Sequence, residues 1–358
     1  MPLAAGRPYL AIPGPSVMPD AVLQAMHQPA PNIYEGDVVT MVQGMVPDLK
    51  RVARTEGKVA IYIANGHGAW EASLANIASP GDKVLVCVTG RFGHGWADMA
   101  EGLGLDVTKL DFGTKEGIDA ARLEEALRAD TGHEYKAVLF SHVDTATSLL
   151  NDPRPLRAAL DAAGHPALLM ADCIASMACE EFEMDAWGVD IAVTGSQKGL
   201  MVPPGLSFVF VNAKAEEARK AVPRVSRYWD WTPRINPEFF YNFFGGTAPT
   251  HHLFGLRAAL DILQADSRHR DTAKIMISGN DRIDIAVTAL KRGCDDYISK
   301  RDISRAQLEQ VFRQVLARAA RGFTAEAKHR WAAVVDEAVP GAQRLEVGGA
   351  ALALGHLN

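Results

Sequence analysis

The chain has 358 residues, 48% of them hydrophobic and 22% charged, an ordinary soluble composition with room for a large core and two domains. Its net charge of -6, from 37 basic and 43 acidic residues without long runs, argues against a nucleic-acid stripe or a polybasic membrane patch. The start, Met1-Pro2-Leu3-Ala4-Ala5-Gly6-Arg7-Pro8, has no apolar signal core, and no apolar run is long enough to span a bilayer. The four cysteines (Cys87, Cys173, Cys179, Cys294) have neither disulfide-scaffold density nor zinc-site spacing. The expectation is a cytoplasmic protein without a metal.

Residues 8–16 are too proline-rich for a helix and read as an extended arm. A helix is expected near Met18-Pro19-Asp20 and another from Val38 to Thr55. Strands then recur at Val59–Ile63, Val84–Val88, Val138–Ser141, Ala167–Met170, Ile191–Thr194 and Ser207–Val211, with helical spacing between them at Ile118–Ala129 and Pro155–Ala163. This alternation predicts an α/β fold with a mostly parallel sheet covered on both faces. Arg224–Gly246 is dense in aromatics, including Tyr228, Trp229, Trp231, Phe239, Tyr241 and Phe244, and suits a core corner, a substrate wall or a subunit interface. A helix follows from Leu253.

The richest stretch chemically is Asp190-Ile-Ala-Val-Thr-Gly-Ser-Gln-Lys-Gly-Leu-Met-Val-Pro-Pro-Gly205. Lys198 lies just past a buried strand, hemmed in by Gly199 and Pro203-Pro204, where open α/β sheets collect ligands. A partly desolvated lysine there can lose its proton and form a Schiff base with a carbonyl compound, although most loop lysines are merely solvated. Asp172 closes the preceding strand. A carboxylate in that place can keep a pyridine nitrogen protonated, or can simply cap a turn. Asn65-Gly66-His67 follows the first strand and opens a helix, a place where backbone N–H groups close on phosphate and where glycine is equally wanted for its backbone angles. Phe92 and Thr145 follow two further strands and offer a stacking ring and a hydroxyl. Together these groups form the set that pyridoxal phosphate requires.

On these motifs the sequence resembles the class V aminotransferases of the pyridoxal-phosphate fold-type I group, above all those acting on alanine or serine with glyoxylate. The resemblance runs from Pro8 to about Gln264, with Gly195-Ser-Gln-Lys-Gly-Leu-Met-Val-Pro-Pro-Gly205 its most specific motif. It is supported by Asn65-Gly-His67, Ala171-Asp-Cys-Ile-Ala-Ser176 and Gly246-Thr-Ala-Pro249. It implies Lys198 as the Schiff-base lysine, Asp172 as partner of the pyridine nitrogen, and Asn65, Gly66, His67 and Gln197 at the phosphate. It implies Phe92 as the stacking ring, Thr145 against the phenolic oxygen, and Thr247 reaching the cofactor of a neighbouring subunit in a homodimer. Phe244 stands where relatives often carry a tyrosine that touches phosphate.

The resemblance breaks after Gln264. Residues 1–264 are expected to form the arm and cofactor-binding large domain, and 265–358 an atypical, truncated small α/β domain. If Gly355-His356-Leu357 aligns with the family's end motif, Ala353 replaces the arginine that pairs with substrate carboxylate. Residues 323–358 otherwise resemble a remnant of the small domain. Residues 274–319 resemble instead the second half of a response-regulator receiver, with Ser278 and Lys300 at its hydroxyl and lysine positions. Its acidic pocket is missing, and Asp295-Asp296 are expected in a loop before a strand. Three readings follow. One is a transaminase using serine or alanine and glyoxylate or a similar 2-oxo acid. The second is a cofactor-binding protein with impaired activity. The third is a signalling or interaction protein built on the receiver-like segment.

Overall fold

The computed structural model describes residues 12–266 and, beyond them, the strands 275–278, 296–299, 343–347 and 350–354. The chain divides into two compact units, Met1–Ala265 and Asp266–Asn358.

In the first unit α1 (Asp20–Met26) and α2 (Asp37–Ala53) precede β1 (Lys58–Tyr62). There follow α3 (Gly66–Ala75), β2 (Lys83–Val88), α4 (Arg91–Gly102), β3 (Asp106–Asp111), α5 (Ala120–Ala129) and β4 (Tyr135–Ser141). A short hairpin of β5 (Val143–Asp144) and β6 (Leu149–Leu150) leads into α6 (Pro153–Ala162) and β7 (Leu168–Asp172). Next come β8 (Ile191–Gly195), β9 (Ser207–Val211), α7 (Ala213–Ala221), α8 (Thr232–Ile235), a 3-10 turn at Phe240–Phe244 and α9 (Thr250–Asp266).

Seven strands form one sheet in the order β1-β9-β8-β7-β4-β2-β3. Only β9 runs against its neighbours, β1 and β8; every other pair is parallel. The mostly parallel sheet expected from the sequence is therefore present. Its central strands are largely apolar because helices cover both faces, and every residue of β7, β8 and β9 is buried. One face packs Leu85, Phe140, Leu169, Phe208 and Phe210 against α2, α5, α6 and α9. The other packs Val86, Leu139, Met170 and Val193 with Trp70 and Trp96 of α3 and α4. The edge strand β3, Asp-Val-Thr-Lys-Leu-Asp, has no buried residue, and its polar pattern carries no apolar run to predict it from.

Helix starts are closed by side chains in the usual way: Asn65, Asp119, Asp152 and Asn212 each accept from a backbone N–H of the first turn they precede. A Cβ on Gly57 or Gly68 would run into neighbouring chain, which accounts for glycine beside the first strand and at its helix.

In the second unit β10 (Ile275–Ser278) and β11 (Asp296–Ser299) pair in parallel, with Ser278 opposite Ser299. Asp296 corrects an expectation: pairing with Ile275 makes it the first strand residue, not part of the loop before it. The antiparallel pair β12 (Gln343–Val347) and β13 (Ala350–Leu354) sets Ala353 opposite Arg344. Lys300, Asp295, Cys294, the expected helix at 304–319 and Gly355-His356-Leu357 lie outside the described residues.

Candidate active site

The parallel register brings the candidate residues to one edge of the sheet. Ser141 of β4 pairs with Asp172 of β7, and Asp172 with Val193 of β8. The His142 N–H donates to the Asp172 carbonyl oxygen at 2.9 Å, and the Cys173 N–H donates to Val193 at 2.9 Å. Thr145, Asp172 and Lys198 thus lie at or just past the carboxyl ends of three adjacent strands, and Phe92 just past the end of the next, β2.

Lys198 sits in a loop that the protein holds tightly. The Ser196 N–H donates to Leu206 at 3.0 Å, the Ser196 hydroxyl to Pro203 at 2.7 Å, and the Met201 N–H to Lys198 at 3.0 Å. Gly199 is needed here: a Cβ would strike the Met177 carbonyl oxygen and the Cys179 sulfur, so the turn after Asp172 packs directly on the lysine loop. The Lys198 side chain is half-buried, and that desolvation lowers its pKa from the usual 10.5, while the negative charge of Asp172 opposes the shift. Its Nζ donates to the Pro13 carbonyl oxygen at 3.0 Å.

Asp172 is buried at 3% exposure. Burial raises its carboxyl to about 7, opposed by the Ile174 N–H bond, the neighbouring Trp70 indole N–H and the Lys198 charge and reinforced by Asp144. One oxygen accepts from that N–H at 2.9 Å. Among the described residues no arginine, lysine or histidine forms an ion pair with it.

Phe92 and Thr145 are joined by a residue that the sequence does not single out. Asp144, fully buried, accepts through Oδ2 from the Phe92 N–H at 2.9 Å and the Gly93 N–H at 3.0 Å, and through Oδ1 from the Ala146 N–H at 3.0 Å. It thereby closes the N-terminus of α4 while fixing the turn that carries Thr145. A Cβ on Gly90 would sit 2.6 Å from the Asp144 carboxylate, so glycine is required for the approach. The only hint in sequence is an aspartate just past a strand end, and its partners are 51 and 52 residues away. The Phe92 ring meets Trp70 edge-on at 6.3 Å, and Trp70 stacks on Trp96 at 5.9 Å.

At the start of α3 the Asn65 side chain accepts from the His67 and Gly68 N–H groups at 3.1 and 3.4 Å. Gly66 is buried against Ile174, which would collide with any Cβ there, so this helix start is packed onto the turn after Asp172. The exposed His67 ring lies 4.8 Å from Trp70. Gln197 is half-buried, and its buried Oε1 has no hydrogen-bond partner among the described residues. Thr247 is exposed in the loop before α9. Phe244 is fully buried and packs against Phe240.

A reversed strand in a parallel sheet, with a lysine past β8 and an aspartate closing β7, is the arrangement of pyridoxal-phosphate enzymes of fold type I. Residues 9–277 match the family described as aminotransferase class-V, and the chain belongs to that family. It is 41% identical over 266 residues to the serine–glyoxylate aminotransferase of Methylorubrum extorquens, covering 72% of this chain and 65% of that protein. It is 40% identical over 256 residues to the L-aspartate–glyoxylate aminotransferase of Paracoccus denitrificans, covering 71% and 64%. The chain therefore spans just under two thirds of the length of these relatives. Among solved structures, an aspartate aminotransferase of subgroup IV from Thermus thermophilus superposes with a TM-score of 0.65 at 29% identity, covering 72% of this chain and 71% of that one. An alanine–glyoxylate aminotransferase from Nostoc sp. gives 0.65 at 26%, covering 74% and 72%.

Class V aminotransferases use pyridoxal phosphate, and the residues present fit it. A buried carboxylate without a cationic partner suits a protonated ring nitrogen. A lysine with lowered pKa suits an aldehyde.

Proposed function

We propose that this chain is a transaminase that moves the amino group of a small amino acid, serine or alanine, to glyoxylate or a similar 2-oxo acid, with pyridoxal phosphate bonded to Lys198. The observation that carries this reading is the pairing of Lys198, its amine pushed toward the neutral form by burial, with the buried Asp172 one strand away. When bound, pyridoxal phosphate supplies an aldehyde and an electron-accepting ring.

The chain's own residues then divide the work. Lys198 would condense with the aldehyde, releasing water, and, once the substrate amine takes its place, would be the group that moves a proton at the substrate α-carbon. Asp172 holds the proton at the ring nitrogen. Phe92, its ring braced by Trp70, would offer a stacking face to the ring, and Thr145 a hydroxyl to its phenolic oxygen. Asn65, Gly66, His67 and Gln197 hold the phosphate. Thr247, exposed on its own subunit, completes the phosphate site of a neighbour, so the working form is a homodimer. Residues 1–264 make up the cofactor-binding domain and 265–358 an atypical small domain. No helix among the described residues is long and apolar enough to cross a membrane.

The glyoxylate-dependent relatives, serine-using in M. extorquens and aspartate-using in P. denitrificans, support glyoxylate as acceptor and add aspartate to the donors worth testing. A second reading has one specific observation in its favour. Ala353, at the position the resemblance gives to a carboxylate-binding arginine, stands within β13 and can make no such pair. On that reading the protein binds cofactor and turns over weakly or not at all. Amino-group release from L-serine, L-alanine and L-aspartate, followed with and without glyoxylate, separates the two. Turnover with one donor that requires glyoxylate supports the transaminase. Cofactor bonded to Lys198 without turnover supports the second reading.

A further inference from the structure

The arm at the N-terminal side of the described residues lies on Lys198. The Ser16 N–H donates to the Gln197 carbonyl oxygen at 2.8 Å. The Ser16 hydroxyl lies 2.8 Å from the Lys198 carbonyl oxygen and 3.2 Å from that of Gln197. These contacts fasten the arm to the backbone of the lysine loop. Two and three residues earlier, at Gly14 and Pro13, the arm meets the side chain itself. Lys198 Nζ donates to Pro13, and a Cβ on Gly14 would fall 2.6 Å from Nζ, 2.8 Å from Cδ and 2.9 Å from Cε. Gly14 also has a φ of +150°, a conformation that side chains rarely adopt. The lysine therefore runs along bare backbone, with its amine held by a carbonyl oxygen at the end.

We propose that Pro13–Ser16 is a positioning element of the lysine site: Gly14 leaves the clearance in which the Lys198 side chain moves, the Pro13 carbonyl oxygen holds its free amine, and Ser16 pins the segment to the loop. A carbonyl oxygen is a suitable holder because it accepts from the amine in either protonation state and has no proton of its own to give. A carboxylate in its place would bind the ammonium form and raise the pKa that burial lowers. A side chain at position 14 would meet Nζ and the last methylenes, so the end of the lysine would have to shift from where the Pro13 carbonyl oxygen holds it.

This inference rests on Lys198 being the residue that bonds the cofactor, and the test separates the two claims. The full chain, stripped of cofactor, is mixed with pyridoxal phosphate. The covalent bond is then trapped with borohydride at successive times and its site read by peptide mass spectrometry. In parallel, binding of pyridoxamine phosphate, which has no aldehyde and needs no lysine, is measured by quenching of tryptophan fluorescence.

Gly14→Ala should slow covalent capture at Lys198 by about tenfold or more, the scale expected when a reacting group is displaced by an ångström, while pyridoxamine phosphate binds within about twofold of wild type. Ser16→Ala, which leaves Gly14 untouched and avoids any strain there, should slow capture by a smaller factor, and Ser16→Thr should restore it. A purely structural role for the arm would weaken both measurements together. Capture at the wild-type rate in both Gly14→Ala and Ser16→Ala overturns the proposal and leaves Lys198 as the cofactor lysine. Absence of label on Lys198 in the wild-type chain overturns the assignment of Lys198 itself.

Discussion

Two turns at the same edge of the sheet handle a buried carboxylate in opposite ways. In the turn after β4, Asp144 has both oxygens engaged by backbone N–H groups, three bonds in all, from Phe92, Gly93 and Ala146. In the turn after β7, Asp172 has one such bond, from Ile174, and burial pushes its carboxyl up to about 7. The first carboxylate is consumed in building, since it fixes a helix start and the following turn at once. The second is left short of partners, at a cost the fold can bear only because a ligand or a proton completes it. The same contrast separates Ser196, whose hydroxyl both donates and accepts within its loop, from the adjoining Gln197, whose Oε1 is buried and unpartnered. Groups saturated by the protein hold the site, and groups left open define it.

Lys198→Ala tests the open side most severely. It should abolish borohydride-trapped cofactor and lower amino transfer by roughly 10⁴-fold or more, as removal of a residue that forms the covalent bond does. Trapping at another lysine with retained turnover would show that the wrong group has been taken as open.

Asp172→Asn comes next. Amino transfer should drop by roughly 10²–10⁴-fold, because an amide cannot hold the ring proton. Stability should move the other way. A carboxyl whose native pKa is raised above 3.8 contributes stability that is complete below that value and lost as pH rises through about 7. The cofactor-free Asp172→Asn variant should therefore match wild type near pH 4 and exceed it at pH 8 by on the order of 3 kcal/mol in chemical unfolding. A difference that does not change with pH would mean that burial leaves the Asp172 carboxyl unshifted.

Asp144→Ala should behave as the loss of a building group. Three N–H donors lose their acceptor, so unfolding free energy should fall by about 2–4 kcal/mol. Cofactor affinity should weaken only as Phe92 and Thr145 loosen. A variant of full stability that has lost cofactor selectively would place Asp144 on the open side. The smallest expected effect is that of Thr247→Ala, a several-fold weaker hold on pyridoxal phosphate from the loss of one hydrogen bond. Mixing this variant with Lys198→Ala chains gives a sharper reading, because a threonine acting across subunits alters the site of its neighbour and not its own.

The open groups were legible in the sequence because they end continuous apolar runs: Leu168–Asp172 and Ile191–Gly195 announce themselves, and Asp172 and Lys198 follow by position. Phe92 and Thr145 were legible in the same way, as residues past strand ends. What holds these groups was not. The contacts of Asp144 span 51 and 52 residues and that of Ser16 with Lys198 spans 182, distances over which no local pattern carries information. The arm was expected to be extended; it is described only from residue 12 and bends at 12–15, and proline and glycine content says nothing of what it lies upon. Strand β3 escaped notice because, at the edge, it has no buried face to leave an apolar period. The homodimer expected of Thr247 rests on its exposure in a single chain together with the resemblance.

The most direct test of the central claim is the visible absorption of the purified protein with pyridoxal phosphate bound, titrated with L-serine, L-alanine and L-aspartate in turn and then with glyoxylate. The account predicts that at least one of these donors discharges the cofactor band and that glyoxylate restores it, despite alanine at position 353. A band that forms, depends on Lys198 and is discharged by none of these amino acids would contradict transamination and leave a cofactor-binding protein in its place.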